Sequence, residues 1–155
     1  MEKNIKKYCL IAAFVLFFLG GIVYITLSRT EEIVNYEVPS PKDVVVQYFT
    51  AWNNKNYPDM YSTLSDGFKK IDPNAKDLTI FRNFASSQGI MGINILSVNE
   101  VSNDGTTALV DYSVEFILEN NTKKFEGTFT LKYREGDVIK GWKLIHPYGN
   151  NIDTT

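Results

Sequence analysis

The sequence predicts an α+β protein in which a transmembrane helix precedes a domain of three helices packed on a curved antiparallel sheet of four or more strands. Three observations predict this class. Residues 8–27 are apolar and uncharged, residues 40–89 repeat their apolar side chains with a period of 3.6, and the period changes to 2 after Gly89. Helices followed by a meander of strands pack together on one face of the sheet.

The first element is the apolar run YCLIAAFVLFFLGGIVYITL at residues 8–27. Twenty helical residues span about 30 Å, the thickness of the hydrocarbon core of a bilayer. Three lysines precede the run within residues 1–7, and two glutamates follow it at 31–32. The positive-inside rule therefore predicts a cytoplasmic tail at residues 1–7 and an extracytoplasmic location for everything after the helix.

A cleaved signal peptide is the alternative interpretation of this run. Signal peptides have apolar cores of about 7–15 residues and a site resembling Ala-x-Ala. The run here is longer, and TLSR at residues 26–29 provides no such site. We therefore expect a retained signal-anchor in the cell membrane. Residues 28–39 are acidic without helical periodicity, which predicts a short extended tether.

The expected domain spans residues 40–149 and is followed by a flexible tail at 150–155. From Thr30 onward the sequence holds 17 acidic and 12 basic residues, a net charge of −5. Nucleic acids and anionic headgroups both require a basic surface, so we expect no nucleic-acid partner.

The lone cysteine, Cys9, lies in the apolar run, so the domain must be held by packing rather than by disulfides.

Three helices are predicted in the first half of the domain. Ser40 is suited to cap the first one, with Pro41 at its first position and Asp43 near the positive end of its dipole. The second begins at Pro58 and is expected to stop at the Asp-Gly pair of residues 66–67. The third is expected from about residue 77 to residue 87.

Four strands are predicted in the second half. The first covers residues 91–101, and its alternation slips near Leu96, which indicates a bulge. Asn-Asp-Gly at residues 103–105 is a hairpin signal. The second strand is the most regular, the third carries Gly127 as a gap on its apolar face, and the fourth is expected at 138–145. On the second strand the predicted inward side chains are Ala108, Val110, Tyr112, Val114, Phe116 and Leu118.

Large aromatic rings dominate the predicted core. They require a concave sheet wrapped round the helices, for which the bulge and Gly127 supply curvature. The rings expected in this core are Phe49, Trp52, Tyr112, Phe116, Phe129 and Trp142.

Three motifs carry a family resemblance over residues 40–147. The first is Pro-x-Asp-x-Val-x-x-Tyr-Phe-x-Ala-Trp-x-x-Lys-x-Tyr at 41–57, the second Met-Tyr-x-x-Leu-Ser at 60–65, and the third Gly-Trp-Lys-Leu at 141–144. With these the domain resembles the nuclear-transport-factor-2-like (NTF2-like) superfamily, whose fold is an α+β cone. Within it, the domain is most similar to the N-terminal helper domain of membrane-anchored penicillin-binding transpeptidases.

The resemblance covers the helper domain alone. Ser-x-x-Lys and Lys-Thr-Gly do not occur in the sequence, so the acyl-transfer residues of those enzymes are missing. His146 also stands where that domain tends to have a second tryptophan. The resemblance implies a partner in peptidoglycan assembly. The alternative is a scaffold subunit of a conjugation or secretion apparatus, which also pairs one membrane helix with this fold.

The residues offer little catalytic chemistry. One histidine and one cysteine leave too few ligands for a typical metal site, and no glycine-rich phosphate loop is present, so we expect no cofactor and no metal. His146 shares a strand face with Trp142 and is the one candidate base. Asp59 and Asp111 are poorly placed as its partner, because Asp59 lies near a helix start and Asp111 on the polar side of its strand.

The sequence therefore favours a non-catalytic, membrane-anchored binding module of a bacterial cell envelope, with an envelope protein as its partner. An isomerase-like or hydratase-like cone enzyme, or a small-molecule-binding cone, remains an alternative. Homodimerisation through the open sheet face is a further one, although Asp111, Ser113 and Glu115 make that face unusually charged for a dimer core. The predicted cleft-lining residues are Trp52, Tyr112, Phe129, Trp142 and His146.

Overall fold

The computed structural model describes residues 38–148 and 151–154. It is an α+β domain in which four helices precede one antiparallel sheet with the strand order β1-β2-β3-β4. The helices are α1 (Pro41–Asn53), α2 (Tyr57–Ser62), α3 (Asp66–Ile71) and α4 (Leu78–Ser87). The strands are β1 (Gly92–Asn103), β2 (Thr107–Ile117), β3 (Thr122–Arg134) and β4 (Gly141–Leu144). The predicted class and the four antiparallel strands are confirmed.

The predicted transmembrane helix at residues 8–27 lies outside the described residues and stays a prediction. Within residues 38–148 and 151–154, no helix combines the length and apolarity needed to cross a bilayer.

Helix α1 begins at the predicted cap. The Asp43 N–H donates to Ser40 Oγ at 3.2 Å, and the Ser40 N–H donates to Asp43 Oδ2 at 3.3 Å, which completes a capping box. One face of α1 then packs on the sheet, with Val45 fully buried and Phe49 2% exposed. This helix is the centre of the core because it contacts β1, β2 and β4.

Helix α3 was not predicted, since the Asp-Gly pair at residues 66–67 suggested a stop. Ser65 instead caps a new helix by accepting a hydrogen bond from the Phe68 N–H at 3.0 Å. Asp66 occupies the first turn, where a carboxylate is favoured by the helix dipole, and Phe68 is fully buried. The prediction of three helices was therefore wrong, because the described residues form four. Ser65 and Asp66 begin a helix here instead of ending one.

Strand β1 has the predicted bulge. Its register with β2 shifts between Ile95 and Ser97, so Leu96 is left out of the pairing, and a second shift lies between Glu100 and Ser102. The predicted hairpin follows, with Gly105 at φ 88°, a conformation that glycine adopts without strain. These bulges bend the sheet round α1.

The paired strands β2 and β3 form the middle of the sheet. Val110 and Val114 face the helices and are fully buried, whereas Asp111 lies on the opposite, exposed face. Gly127 pairs with Tyr112, and a Cβ at Gly127 would lie 2.9 Å from the Tyr112 hydroxyl oxygen. The Tyr112 side chain therefore occupies the space that the missing side chain leaves.

Strand β4 is shorter than predicted and begins at Gly141 instead of residue 138. Val138 is 93% exposed. Asp66 and Asp137 hold this turn against α3: the Val138 N–H donates to Asp66 Oδ2 at 2.7 Å, and the Asp66 N–H donates to Asp137 Oδ2 at 3.0 Å. These bonds hold residues 137 and 138 in the turn, so the pairing of β4 with β3 starts only at Gly141, whose φ is 135°.

Candidate binding cavity

An apolar cavity of about 180 Å³ lies between the helices and the inner face of the sheet. Helix α1 contributes Tyr48, Phe49 and Trp52 to its lining, because these residues share the face that packs on the sheet. Strands β2 and β3 contribute the opposite wall, where alternate residues point inward. The wall residues are Tyr112, Phe116, Phe125 and Phe129.

The rings of the two walls pack on one another. Tyr112 stacks on Phe129 with ring centroids 4.4 Å apart, and Phe49 lies 5.1 Å from Tyr112. Tyr48 meets Phe129 edge-on at 5.8 Å. These are the offset and edge-to-face geometries that aromatic pairs favour, so the walls are mutually supported.

Tyr148, in the segment that follows β4, also lines the cavity together with Phe84, Ala85 and Gln88 from α4. The centroids of the Tyr148 and Phe84 rings are 4.7 Å apart. The Tyr148 hydroxyl is buried and has no hydrogen-bond partner. A buried hydroxyl without a partner costs about 1–3 kcal/mol, so this group calls for an explanation.

The tyrosine hydroxyls at the cavity remain protonated at neutral pH. Burial raises the pKa of Tyr48 far above its ordinary value, and the nearby Tyr148 and Tyr112 raise it further. Burial is also the main cause of the raised pKa of Tyr148, with Asp72 and Tyr61 adding to it, and burial raises the pKa of Tyr112. These phenols are therefore available as hydrogen-bond donors and are unsuited to act as bases.

The structure brings together three of the five residues that the sequence suggested for a cleft. Trp52, Tyr112 and Phe129 line the cavity, whereas Trp142 and His146 are not among its lining residues. Trp142 packs edge-on against Tyr133 at 5.5 Å. The His146 Nδ1 atom lies 2.7 Å from the Asn151 carbonyl oxygen. Strand β4 ends at Leu144, so the alternation that placed His146 beside Trp142 does not extend to it.

Sequence reasoning missed Tyr148. The prediction of a strand as far as residue 145, followed by a loop and a flexible tail, gave it no inward direction. The available signal was the aromatic side chain directly after Pro147. Proline tends to end a strand, and a large aromatic ring is stabilised by burial.

The lining of the cavity is mostly aromatic and apolar. Among the described residues that line it, none has a carboxylate, an imidazole, an amine or a thiol, and Gln88 supplies an amide. Across residues 38–148 and 151–154, no group of His, Cys, Asp and Glu is arranged to hold a metal ion.

A family model matches residues 42–143, which include α1 except for Pro41, the four ring residues of the sheet wall and most of β4; its description is "Domain of unknown function (DUF4829)". The chain belongs to the DUF4829 family. No curated protein sequence matches this chain.

Solved structures similar to this DUF4829 domain share its fold at low sequence identity. A Sec-C motif containing protein from Psychrobacter arcticus is 10% identical with a TM-score of 0.51, and the match covers 74% of this chain and 63% of that protein. An NTF2-like protein from Shewanella oneidensis MR-1 is 13% identical with a TM-score of 0.46, covering 68% and 94%. A ketosteroid isomerase-like protein from Erwinia carotovora atroseptica SCRI1043 is 16% identical with a TM-score of 0.44, covering 71% and 92%. At these identities the likeness concerns the fold alone.

A larger, open cleft of about 930 Å³ lies on another side of the DUF4829 domain, between α3, the β3–β4 turn and the C-terminal residues. Its charged groups are largely engaged with one another. Lys69 Nζ lies 2.9 Å from Asp66 Oδ1, and Arg134 lies 3.4 Å from both Asp137 and Asp153. The Arg134–Asp153 pair joins β3 to the C-terminal residues, and backbone bonds to Asp66 and Asp137 join α3 to the β3–β4 turn. We therefore interpret this cleft as a structural ion network rather than as the binding site.

Asp66 is the centre of this network. Burial alone would raise the pKa of Asp66, but the Val138 N–H and the Lys69 ammonium hold it below its usual value. Lys143 lies close by, 6% exposed, and donates from Nζ to the Ser62 carbonyl oxygen at 2.7 Å. Burial lowers the pKa of Lys143, and the neighbouring Lys69 lowers it further.

Proposed function

We propose that the chain is a non-catalytic, membrane-anchored binding module that works outside the cytoplasmic membrane, and that its cavity takes a small apolar molecule with one hydrogen-bonding group. The observation that carries the proposal is the aromatic cavity, together with the buried, unpartnered hydroxyl of Tyr148, one of its lining residues. A ligand that filled the cavity and accepted a hydrogen bond from Tyr148 would remove the cost of that buried donor.

The volume sets the size of the ligand. A dry apolar cavity of about 150 Å³ is enough to bind benzene. The cavity here, at about 180 Å³, therefore suits a single ring with one small polar substituent. Burial of the ring would supply most of the affinity, and the hydroxyl would orient the ligand.

The absence of an acid–base pair in the lining supports binding over catalysis. Proton transfer needs a base whose pKa lies near the working pH and a group that orients it. The lining offers phenols whose pKa is raised by burial, which donate hydrogen bonds but do not accept protons at neutral pH. The isomerase-like alternative would need a base from outside the described lining.

The sequence supports the location and the partner. The charge distribution around residues 8–27 favours an anchored domain outside the membrane, and the likeness to the transpeptidase helper domain favours a partner in peptidoglycan assembly. Protease added to intact protoplasts is expected to remove the domain, as followed by immunoblotting against residues 40–155. Recovery of a domain in the medium with a new N-terminus near Arg29 would contradict the anchor.

The ligand class is tested with 4-fluorophenol and fluorobenzene, monitored by ¹⁹F NMR on the full chain in detergent micelles. Both probes are expected to bind. In Tyr148→Phe, the affinity for 4-fluorophenol is expected to fall about tenfold, the value of one hydrogen bond, while that for fluorobenzene stays unchanged. The same variant is expected to keep its stability or gain about 1 kcal/mol, because the orphan hydroxyl is gone.

Two further variants control this experiment. Ala85→Leu places a larger side chain in the cavity and is expected to abolish binding of both probes, with folding checked by circular dichroism. Tyr133→Phe removes a hydroxyl from a tyrosine outside the cavity lining and is expected to leave both affinities unchanged. Equal binding to wild type, to Ala85→Leu and to empty micelles would contradict the proposal.

A further inference from the structure

The C-terminal strap, residues 146–148 and 151–154, begins at the cavity and ends in a buried carboxylate. Tyr148 lines the cavity, and Asp153, two residues before the last, is 2% exposed. The Asp153 N–H donates to the Ile145 carbonyl oxygen at 3.1 Å. The sequence predicts a flexible tail from residue 150 onward, whereas Asn151 and Asp153 are hydrogen-bonded to the domain.

A niche at the beginning of α3 holds the Asp153 carboxylate. The Ser65 hydroxyl donates to Asp153 Oδ2 at 2.8 Å, and Arg134 Nη2 lies 3.4 Å from the same oxygen. Gly67 makes room for the carboxylate, because a Cβ there would lie 2.2 Å from Asp153 Oδ2. Any larger residue at position 67 would have to displace it.

His146 and Asn151 of the strap also make polar contacts. The His146 Nδ1 atom lies 2.7 Å from the Asn151 carbonyl oxygen, and the Asn151 side-chain N–H donates to Asp72 Oδ2 at 3.3 Å. These contacts attach His146 and Asn151, which lie on either side of Tyr148 in the sequence.

Tyr148, a lining residue of the cavity, in turn packs against α3 and α4. Its ring lies edge-on to Phe68 at 5.2 Å and tilted against Phe84 at 4.7 Å. Phe68 is held in α3 by the same Ser65 oxygen that bonds Asp153, since the Phe68 N–H donates to Ser65 Oγ at 3.0 Å. The carboxylate niche and the ring that supports Tyr148 therefore share one residue.

We propose that the strap closes the aromatic cavity and that Asp153 is its latch: the cavity opens when the carboxylate leaves its niche and Tyr148 moves away from α4. The inference rests on the proposed function, because it assumes that the cavity is the ligand site. A charged latch suits this role better than an apolar one. A carboxylate regains its hydration when it is released, so opening costs less than the extraction of an equally buried apolar side chain.

The latch itself is tested without ligand, by hydrogen–deuterium exchange of the full chain. Asp153→Asn keeps the size of the side chain and removes its charge, and Gly67→Ala fills the niche while favouring helix α3. Both are expected to speed exchange in the peptide that contains residues 146–154 at least tenfold. Glu135→Gln is the matched control, because it neutralises an exposed carboxylate of the β3–β4 turn that pairs with Lys140, and should leave this peptide unchanged. Unchanged exchange in both test variants would overturn the latch.

The consequence for the ligand is measured with 4-fluorophenol by ¹⁹F exchange spectroscopy. If the ligand passes only through the open strap, association and dissociation both accelerate by the same factor, about tenfold in Asp153→Asn, and Kd changes less than twofold. Equal rates in wild type and Asp153→Asn would overturn the strap as the entry route. Failure of wild type to bind the probe would instead contradict the proposed function, and the deuterium exchange would still decide the latch.

Discussion

Val110→Asp is expected to lower the free energy of unfolding by about 5 kcal/mol, enough to unfold most small domains. Val110 is fully buried at the middle of β2, where it pairs with Phe129 of β3 and Glu100 of β1. A carboxylate at this site would be surrounded by apolar side chains and would have to be buried unpaired or protonated. Urea denaturation followed by circular dichroism measures the loss.

The neighbouring residue provides the matched control. Leu109 is 36% exposed and points to the opposite face of the same strand. Leu109→Asp is therefore expected to cost less than about 1 kcal/mol, as surface substitutions usually do. Similar losses in the two variants would mean that the alternation of β2 does not decide which side chains are buried.

This alternation also explains how much of the fold could be predicted. The faces of β2, the Ser40 cap of α1 and the bulge at Leu96 are local signals, each contained within a few neighbouring residues. The structure confirms all three. Local chemistry determines them because the interacting groups are close along the chain, so no knowledge of the fold is needed.

The errors have a different character. The late start of β4 depends on bonds between Asp66 and the β3–β4 turn, which lie 71 and 72 residues apart in the sequence. Helix α3 has a local signal, the Ser65 cap, but the Asp-Gly pair that follows it indicated a stop. The niche for Asp153 joins residues 88 apart. The C-terminal residues include few apolar side chains, so the sequence alone predicts a flexible tail. The contacts of Asp153 with Ser65 and Arg134 explain why this residue is buried.

The candidate site was predicted in part for the same reason. Trp52, Tyr112 and Phe129 lie on regular elements, and periodicity placed each of them on an inner face. Tyr148 and His146 follow Leu144, the last residue of β4, so the strand period could not orient them.

Phe49→Ala is expected to cost about 3–5 kcal/mol of unfolding free energy, the range for truncating a buried phenylalanine. Phe49 is 2% exposed, and its ring contacts Tyr48, Tyr112 and Phe129 at centroid distances of 5.3, 5.1 and 5.8 Å. The loss includes the burial of the ring and the contacts it makes with both cavity walls. Thermal and urea denaturation of the variant measure it.

Phe125→Ala is the matched control, because it truncates another ring of the cavity lining that is 45% exposed. The expected loss of unfolding free energy is only about 1 kcal/mol.

Phe49→Ala should also enlarge the cavity, since Phe49 is part of its lining. A two-ring probe such as 2-naphthol is therefore expected to bind to Phe49→Ala more tightly than to wild type and to restore part of the lost stability. A variant that lost less than about 1 kcal/mol, or that bound 2-naphthol no better than wild type, would place Phe49 outside the wall between α1 and the sheet.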